Sequence, residues 1–259
     1  MLWIGTSGWQ YADWRGYFYP REVPQRLWLE HYAARFRTVE VNNSFYRLPK
    51  PEQFQSWAMR TPTDFVVVAK ASRYLTHIKR LRDPAEPVAR FVASVRGLGA
   101  KLGPVLLQLP PKFEADPAAL DLTLGLFPAD IRVAVEPRDP SWWSADVRKV
   151  LEHHGATLSW ADRHERPVTE LWRTADWGYL RFHQGSDGWS YERPALEAWV
   201  RRLDAEFGRG EDVFVFFNND PTGAVLRDAI RFADVAAAAG WEVTRVPAPG
   251  DVDLAPGLW

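Results

Sequence analysis

Phe65-Val66-Val67-Val68-Ala69-Lys70, an amphipathic stretch over 84–101, and then Pro104-Val105-Leu106-Leu107-Gln108-Leu109 decide the fold class. A short β-rich run, a helical stretch and a second β-rich run make one βαβ unit. The same alternation extends in both directions. Strands are expected at 2–5, 38–42, 65–71, 104–109, 131–136, 156–162, 178–183 and 212–218. Amphipathic helices are expected at 24–36, 52–60, 84–101, 116–127, 142–154, 193–207 and 223–239, with 163–177 irregular. From Trp3 to Val213, seven intervals cover 210 residues, or 30 each, the length of one repeat. Eight repeats in one α/β chain of 259 residues predict a single (β/α)8 TIM barrel over 1–259. Pro84, Pro117 and Pro194 stand where first-turn prolines are tolerated, and Gly155 and Gly240 follow helical runs as stop signals. A doubly wound open sheet is the competing architecture. It normally uses fewer strands, and no Gly-x-Gly-x-x-Gly follows the first strand here.

Composition excludes whole classes of function. There are no cysteines, so disulfide scaffolds, zinc–thiolate sites, iron–sulfur clusters and cysteine nucleophiles are out. Thirty-two basic against 33 acidic residues leave a formal charge of −1, so no global field attracts nucleic acid or anionic lipid. Met1-Leu2-Trp3-Ile4-Gly5 lacks a basic, then apolar, export signal, and no run approaches the ~18–20 apolar residues of a membrane span. A cytoplasmic protein with no membrane partner is expected. The segment 247–259, with three prolines and two glycines, is expected to be a C-terminal tail on the barrel surface, anchored by Trp259.

In a barrel of this kind catalytic groups stand at the C-terminal ends of the strands. Read in order, those ends offer Glu40 and Asn42, Lys70, Gln108, Glu136 followed by Arg138, Asp162, Arg181 with His183, and Asn218-Asn219-Asp220. Lysine is scarce, six residues against 26 arginines, so Lys70 closing an apolar strand stands out. An ammonium there is partly desolvated and calls for a carboxylate, with Glu40 on the neighbouring strand as its partner. Any one of these charges alone reads as a structural ion pair. The whole set does not, because a buried ion pair seldom improves stability over apolar packing.

Seven words of sequence then resemble one family. They are Gly5-Thr6-Ser7-Gly8-Trp9, Val39-Glu40-Val41-Asn42-Asn43-Ser44-Phe45-Tyr46 and Lys70-Ala71-Ser72-Arg73-Tyr74-Leu75-Thr76-His77. Leu102-Gly103-Pro104-Val105-Leu106-Leu107-Gln108-Leu109-Pro110-Pro111, Val135-Glu136-Pro137-Arg138 through Ser141-Trp142, Arg181-Phe182-His183 and Phe217-Asn218-Asn219 follow in order. Together they resemble the YecE-like proteins, domain-of-unknown-function family seventy-two, from Gly5 to about Ala239. The resemblance implies a TIM barrel and no established reaction. Asn43-Ser44 and Gln184-Gly185 depart from the common family pattern, and neither touches the ionisable set.

Fourteen tryptophans, several in the loop from Trp9 to Tyr19 and others at Trp142, Trp143, Trp160, Trp177 and Trp189, suit stacking on sugars or nucleobases. Trp9 and Tyr46 follow strand ends directly and are the aromatic candidates. Three functions stay open. The first is acid–base or electrostatic catalysis on a small hydroxylated or anionic substrate, sugar- or nucleotide-like. Glu40, Lys70, Glu136 and His183 are its catalytic candidates, with one carboxyl raised to act as acid. Trp9, Asn42, Tyr46, Arg73, His77, Gln108, Arg138, Asp162, Arg181 and Asn218 would bind the substrate. An imine at Lys70 is a subsidiary possibility. The second is metal-assisted phosphodiester cleavage like that of abasic-site endonucleases, with Glu40, Glu136, Asp162 and His183 on a single divalent ion. Its nucleic acid would meet a rim of Arg15, Arg47, Arg73, Lys79, Arg80 and Arg82. The third is a non-catalytic ligand-binding barrel. No cofactor is expected under the first or third, and no oligomeric state is implied.

Overall fold

The computed structural model describes residues 1–186, 190–218 and 223–252. The chain is α/β, and the strands of each βα repeat run parallel. One five-stranded sheet has the order β2 (Thr38–Val41), β3 (Val66–Lys70), β4 (Leu102–Gln108), β5 (Val133–Glu136), β6 (Thr157–Leu158). The other has the order β1 (Leu2–Thr6), β10 (Val213–Phe217), β9 (Gly178–Phe182), β7 (Trp160–Arg163), β8 (Arg166–Pro167). Helices α1 (Trp28–Arg35), α3 (Pro51–Met59), α4 (Ala85–Val95), α5 (Pro117–Gly125), α6 (Ala145–His153), α7 (Arg193–Glu206) and α8 (Ala224–Ala238) fall where amphipathic stretches were expected. Pro84 caps α4, Pro117 opens α5, and Gly155 and Gly240 take positive φ after α6 and α8.

The ladders form two sheets and no continuous ring among the described residues. The sixth expected strand, 156–162, is divided at Ser159. Before it, β6 pairs with β5; after it, β7 pairs with β9. Two side-chain hydroxyls break in, Thr174 Oγ1 accepting from Leu158 N and Thr169 Oγ1 from Ala161 N. The antiparallel pairing of β7 with β8 was not expected, because Arg166-Pro167 carries no apolar signal. At the other junction β1 and β2 share no ladder. Tyr32 of α1 bridges them instead, its hydroxyl accepting from Thr6 N at 3.0 Å and donating to Thr38 O at 3.1 Å. Below it the chain after α8 slots in: Leu2 N donates to Glu242 O, Thr244 N to Leu2 O, and Ile4 N to Thr244 Oγ1. A Cβ on Gly5 would stand 2.5 Å from Thr38 O, so only glycine lets the strands approach this closely.

Side chains alternate along every strand, and the alternation sorts them into two layers. Val39, Val67, Leu107, Val135, Leu180 and Val215 pack outward against the helices. Val68, Leu106, Ala134, Tyr179, Phe214 and Phe216 pack with Trp177 into a separate interior cluster drawn from both sheets. The polar strand-end residues sit above that apolar floor. Of the expected tail, Pro249–Asp251 forms a 3-10 turn, Asp251 pairs with Arg35 at 3.2 Å and Val252 is buried. The expected anchor, Trp259, lies outside the described residues, as do Trp189, Asn219 and Asp220.

Candidate functional site

Glu40, Lys70, Gln108, Glu136 and Arg181 share the inward parity of their strands and form one hydrogen-bonded network. Arg181 is its centre. Its Nη2 and Nε donate to Glu40 Oε1 and Oε2 at 2.8 and 3.0 Å, and its Nη1 donates to Glu136 Oε2 at 2.6 Å. Tyr179, two residues before Arg181 and so on the same face, donates its hydroxyl to Glu40 Oε2 at 2.6 Å. Glu136 Oε1 accepts from Gln108 Nε2 at 2.8 Å and from Arg138 Nε and Nη2 at 3.2 Å each. Gln108 Oε1 accepts from Lys70 Nζ at 2.7 Å. The ammonium also lies 4.2 Å from the centre of the Phe45 ring. Phe45 belongs to the short helix α2 (Asn43–Tyr46), and Ser44 in the same turn donates to Lys70 O at 2.6 Å.

These contacts set the charge states. Burial pushes both carboxyls up, but Arg181, with Tyr179 at Glu40 and with His183 and Arg138 at Glu136, outweighs it. Both therefore stay ionised, Glu136 well below the usual carboxylate range. The expectation that one of them is raised to serve as acid fails, because each faces the same central guanidinium. Burial, with Arg181 nearby, pushes Lys70 down to about 8. His183 is lowered chiefly by burial. Asn218 Nδ2 donates to His183 Nδ1 at 3.2 Å, which leaves the ring proton on Nε2, 3.7 Å from Glu136 Oε1. Lys70, Arg138 and Arg181 against Glu40 and Glu136 leave one positive charge in excess.

Above the network is a cavity of about 420 Å³. Lys70, Gln108, Arg138, Arg181, Asn42, Asn218, Trp9 and Tyr46 line it, with Ser7, Gly8, Gln10, Tyr11, Val41 and Asn43. Glu40 and Glu136 do not. Trp9 is buried edge-on to Trp57, whereas Tyr46 is 72% exposed. Among the described residues, Ser7 Oγ and Asn42 Oδ1 are buried without a hydrogen-bond partner. Glu136, Arg138 and His183 border a second cavity of about 350 Å³ beside the first.

Three candidates, Asp162, His77 and Arg73, join neither the network nor the wall of either cavity. Asp162 pairs in register with Phe182, on the helix-facing side, while its neighbour Ala161 pairs with Arg181. There Asp162 Oδ2 accepts from Trp199 Nε1 at 2.8 Å and Oδ1 from Glu165 N at 3.1 Å. His77 stands behind Phe45, ring centroids 4.8 Å apart, bonded to Thr76 Oγ1 and held down to about 4 by burial and the nearby Lys70. Arg73 points to solvent. The four ligands expected for a divalent ion therefore do not fit one. Asp162 is on the wrong face, and the Glu40 and Glu136 oxygens are engaged by guanidinium groups. A grouping with metal-ligand geometry, Asp121 with His153 and His154, lies where α5 meets α6 and lines neither cavity. Sequence reading missed Tyr179, Phe45 and Ser7. Tyr179 could have been found from its two-residue offset to Arg181.

A family model described as "Protein of unknown function DUF72" matches residues 3–251. UPF0759 protein YunF of Bacillus subtilis (strain 168) is 27% identical over 257 residues, 86% of this chain and 90% of that protein. UPF0759 protein YecE of Escherichia coli (strain K12) is 30% identical over 231 residues, 78% of this chain and 81% of that one. A DUF72 family crystal structure from Thermotoga maritima MSB8 superposes with a TM-score of 0.79 at 27% identity, covering 92% of this chain and 99% of that chain. A second, from Enterococcus faecalis V583, is alike in fold, with a TM-score of 0.76 at 19% identity over 92% and 96%. The match over nearly the whole length, joined to the ordered motifs from Gly5 onward, makes this chain a member of the DUF72 family.

Proposed function

We propose that the two sheets wrap one (β/α)8 barrel and that the cavity at its strand ends binds a small anionic, hydroxyl-bearing molecule. The chemistry on it is acid–base or electrostatic. One observation carries the reading: the carboxylates are turned into Arg181, so the charged groups facing the cavity are Lys70, Arg138 and Arg181. Lys70 and Arg181 are buried while Arg138 stands at the exposed rim, and a buried, desolvated cation binds a carboxylate or phosphate far better than a solvated one does. Asn42 Oδ1 and Ser7 Oγ, buried without partners, are suited to a ligand hydroxyl, because burial without a hydrogen bond costs about 1–3 kcal/mol. Trp9 and Tyr46 supply flat apolar walls. Glu40 and Glu136 act as positioning residues that hold the cations in place, with His183 Nε2 3.7 Å from Glu136 Oε1. Lys70 is the group able to give or take a proton near neutral pH.

Calorimetric titration tests this with oxalate, inorganic phosphate and glycerol 3-phosphate, against glucose as the neutral control. Binding of at least one anion, weakened tenfold or more by Arg138→Ala, is expected. Equal behaviour of the anions and glucose, or no effect of Arg138→Ala, overturns the reading.

A further inference from the structure

We propose that Lys70 captures its ligand covalently, as an imine, so that the substrate class is an anionic carbonyl compound: an oxo acid, or a phosphorylated aldehyde or ketone. The proposal rests on the anion-binding reading above and adds a carbonyl to the ligand.

The surroundings of Nζ differ from those of a lysine kept for structure. Such a lysine is set against a carboxylate. Here Nζ has a neutral partner, the Gln108 amide oxygen at 2.7 Å, and an aromatic ring on its other flank. Glu136, one step further along, is occupied by Gln108, Arg138 and Arg181. Lys70 is also the only one of six lysines that lines the cavity. Two guanidinium groups share the wall with it: Arg181 is held between Glu40 and Glu136, and the exposed Arg138, bonded to Glu136 at 3.2 Å, is the one placed to take a carboxylate or phosphate while the amine meets the carbonyl carbon. An amine held down to about 8 has a useful neutral fraction at pH 7 to 8.

The step balances without an added reagent. The ammonium first gives up a proton. The Nζ lone pair then forms the C–N bond while the C=O π pair moves onto oxygen, which takes a proton to give a carbinolamine. Loss of water forms C=N. Overall the ammonium and the carbonyl give a protonated imine and one water, whose two hydrogens come from nitrogen. Arg138 and Arg181 stabilise the oxyanion that develops on the way.

Reductive trapping tests it. The full-length protein is incubated in turn with glyoxylate, pyruvate and pyridoxal 5′-phosphate, treated with sodium borohydride, and mapped by peptide mass spectrometry. Lys70 is expected to carry at least tenfold more label than any of Lys50, Lys79, Lys101, Lys112 or Lys149. Oxalate, an anion without a reactive carbonyl, should suppress the label, and Lys70→Arg should abolish it with an unchanged melting curve. Absence of label at Lys70 with all three probes, or label spread evenly over the lysines, overturns the proposal. If oxalate binds while no probe traps, the imine alone fails; if oxalate does not bind either, the anion-binding reading fails with it.

Discussion

Arg181 of β9 and Glu40 of β2 are joined by two N–H···O bonds of 2.8 and 3.0 Å, with both residues fully buried. The pair crosses from one sheet to the other, and the same guanidinium also reaches Glu136 of β5. Removing it strands two buried carboxylates. Arg181→Met should cost about 3–5 kcal/mol in urea unfolding, as loss of one partner of a buried pair does. A loss of ~1 kcal/mol or less, typical of surface pairs, would contradict this account of the network.

The depressed Lys70 gives stability a definite dependence on alkali. Between about 8 and 10.5 the unfolded chain holds a proton that the folded chain has released, so wild-type stability rises with pH there relative to a variant without the amine. Below about 8 both forms are protonated and the burial penalty is present in full. The stability of Lys70→Met minus that of wild type should therefore fall between pH 7 and pH 10. A difference independent of pH would place the Lys70 titration elsewhere.

Asp162 is assigned to packing and not to ligand. Asp162→Ala removes the acceptor for Trp199 Nε1 and Glu165 N, leaving donors to be desolvated unpaired, at about 1–3 kcal/mol. Oxalate affinity should not change. The reverse pattern, intact stability with lost affinity, would return Asp162 to the cavity.

Gly5→Ala probes the junction of β1 and β2. Its Cβ would meet Thr38 O at 2.5 Å, and relieving that contact must move one strand away from the other. A loss of about 1–3 kcal/mol is expected, the usual range for overpacking. Amide exchange should quicken at Thr6, whose N–H is held by Tyr32. Unchanged exchange at Thr6 would mean the junction does not depend on the missing side chain.

The repeat was legible because apolar runs and helical stretches alternate at 30-residue spacing, and Lys70, Gln108, Glu136 and Arg181 were legible because each stands at or next to the end of a largely apolar strand. Asp162 was misplaced because parity groups residues without saying which way the group faces. It shares parity with Leu158 and Trp160, which pack toward the helices, whereas Gln108 shares parity with Leu106 and Arg181 with Tyr179, equally large and turned to the interior. Which set faces inward is decided by how the sheets come together and not by side-chain size. The charge states were out of reach because they depend on which carboxylate oxygen meets which nitrogen across the interior. The β1–β2 junction was equally hidden, since a tyrosine hydroxyl and residues 242–245 complete it from afar.

That junction has a consequence for how the protein is made. β1 leaves the ribosome well before its partner β10, which lies more than 200 residues later, and its other edge waits for Glu242 and Thr244. Leu2–Thr6 is thus made long before either of its edges can be seated. A nascent chain halted before residue 213 would present that strand unpaired on both sides, so ribosomal pausing or truncation there should commit the product to chaperones or aggregation.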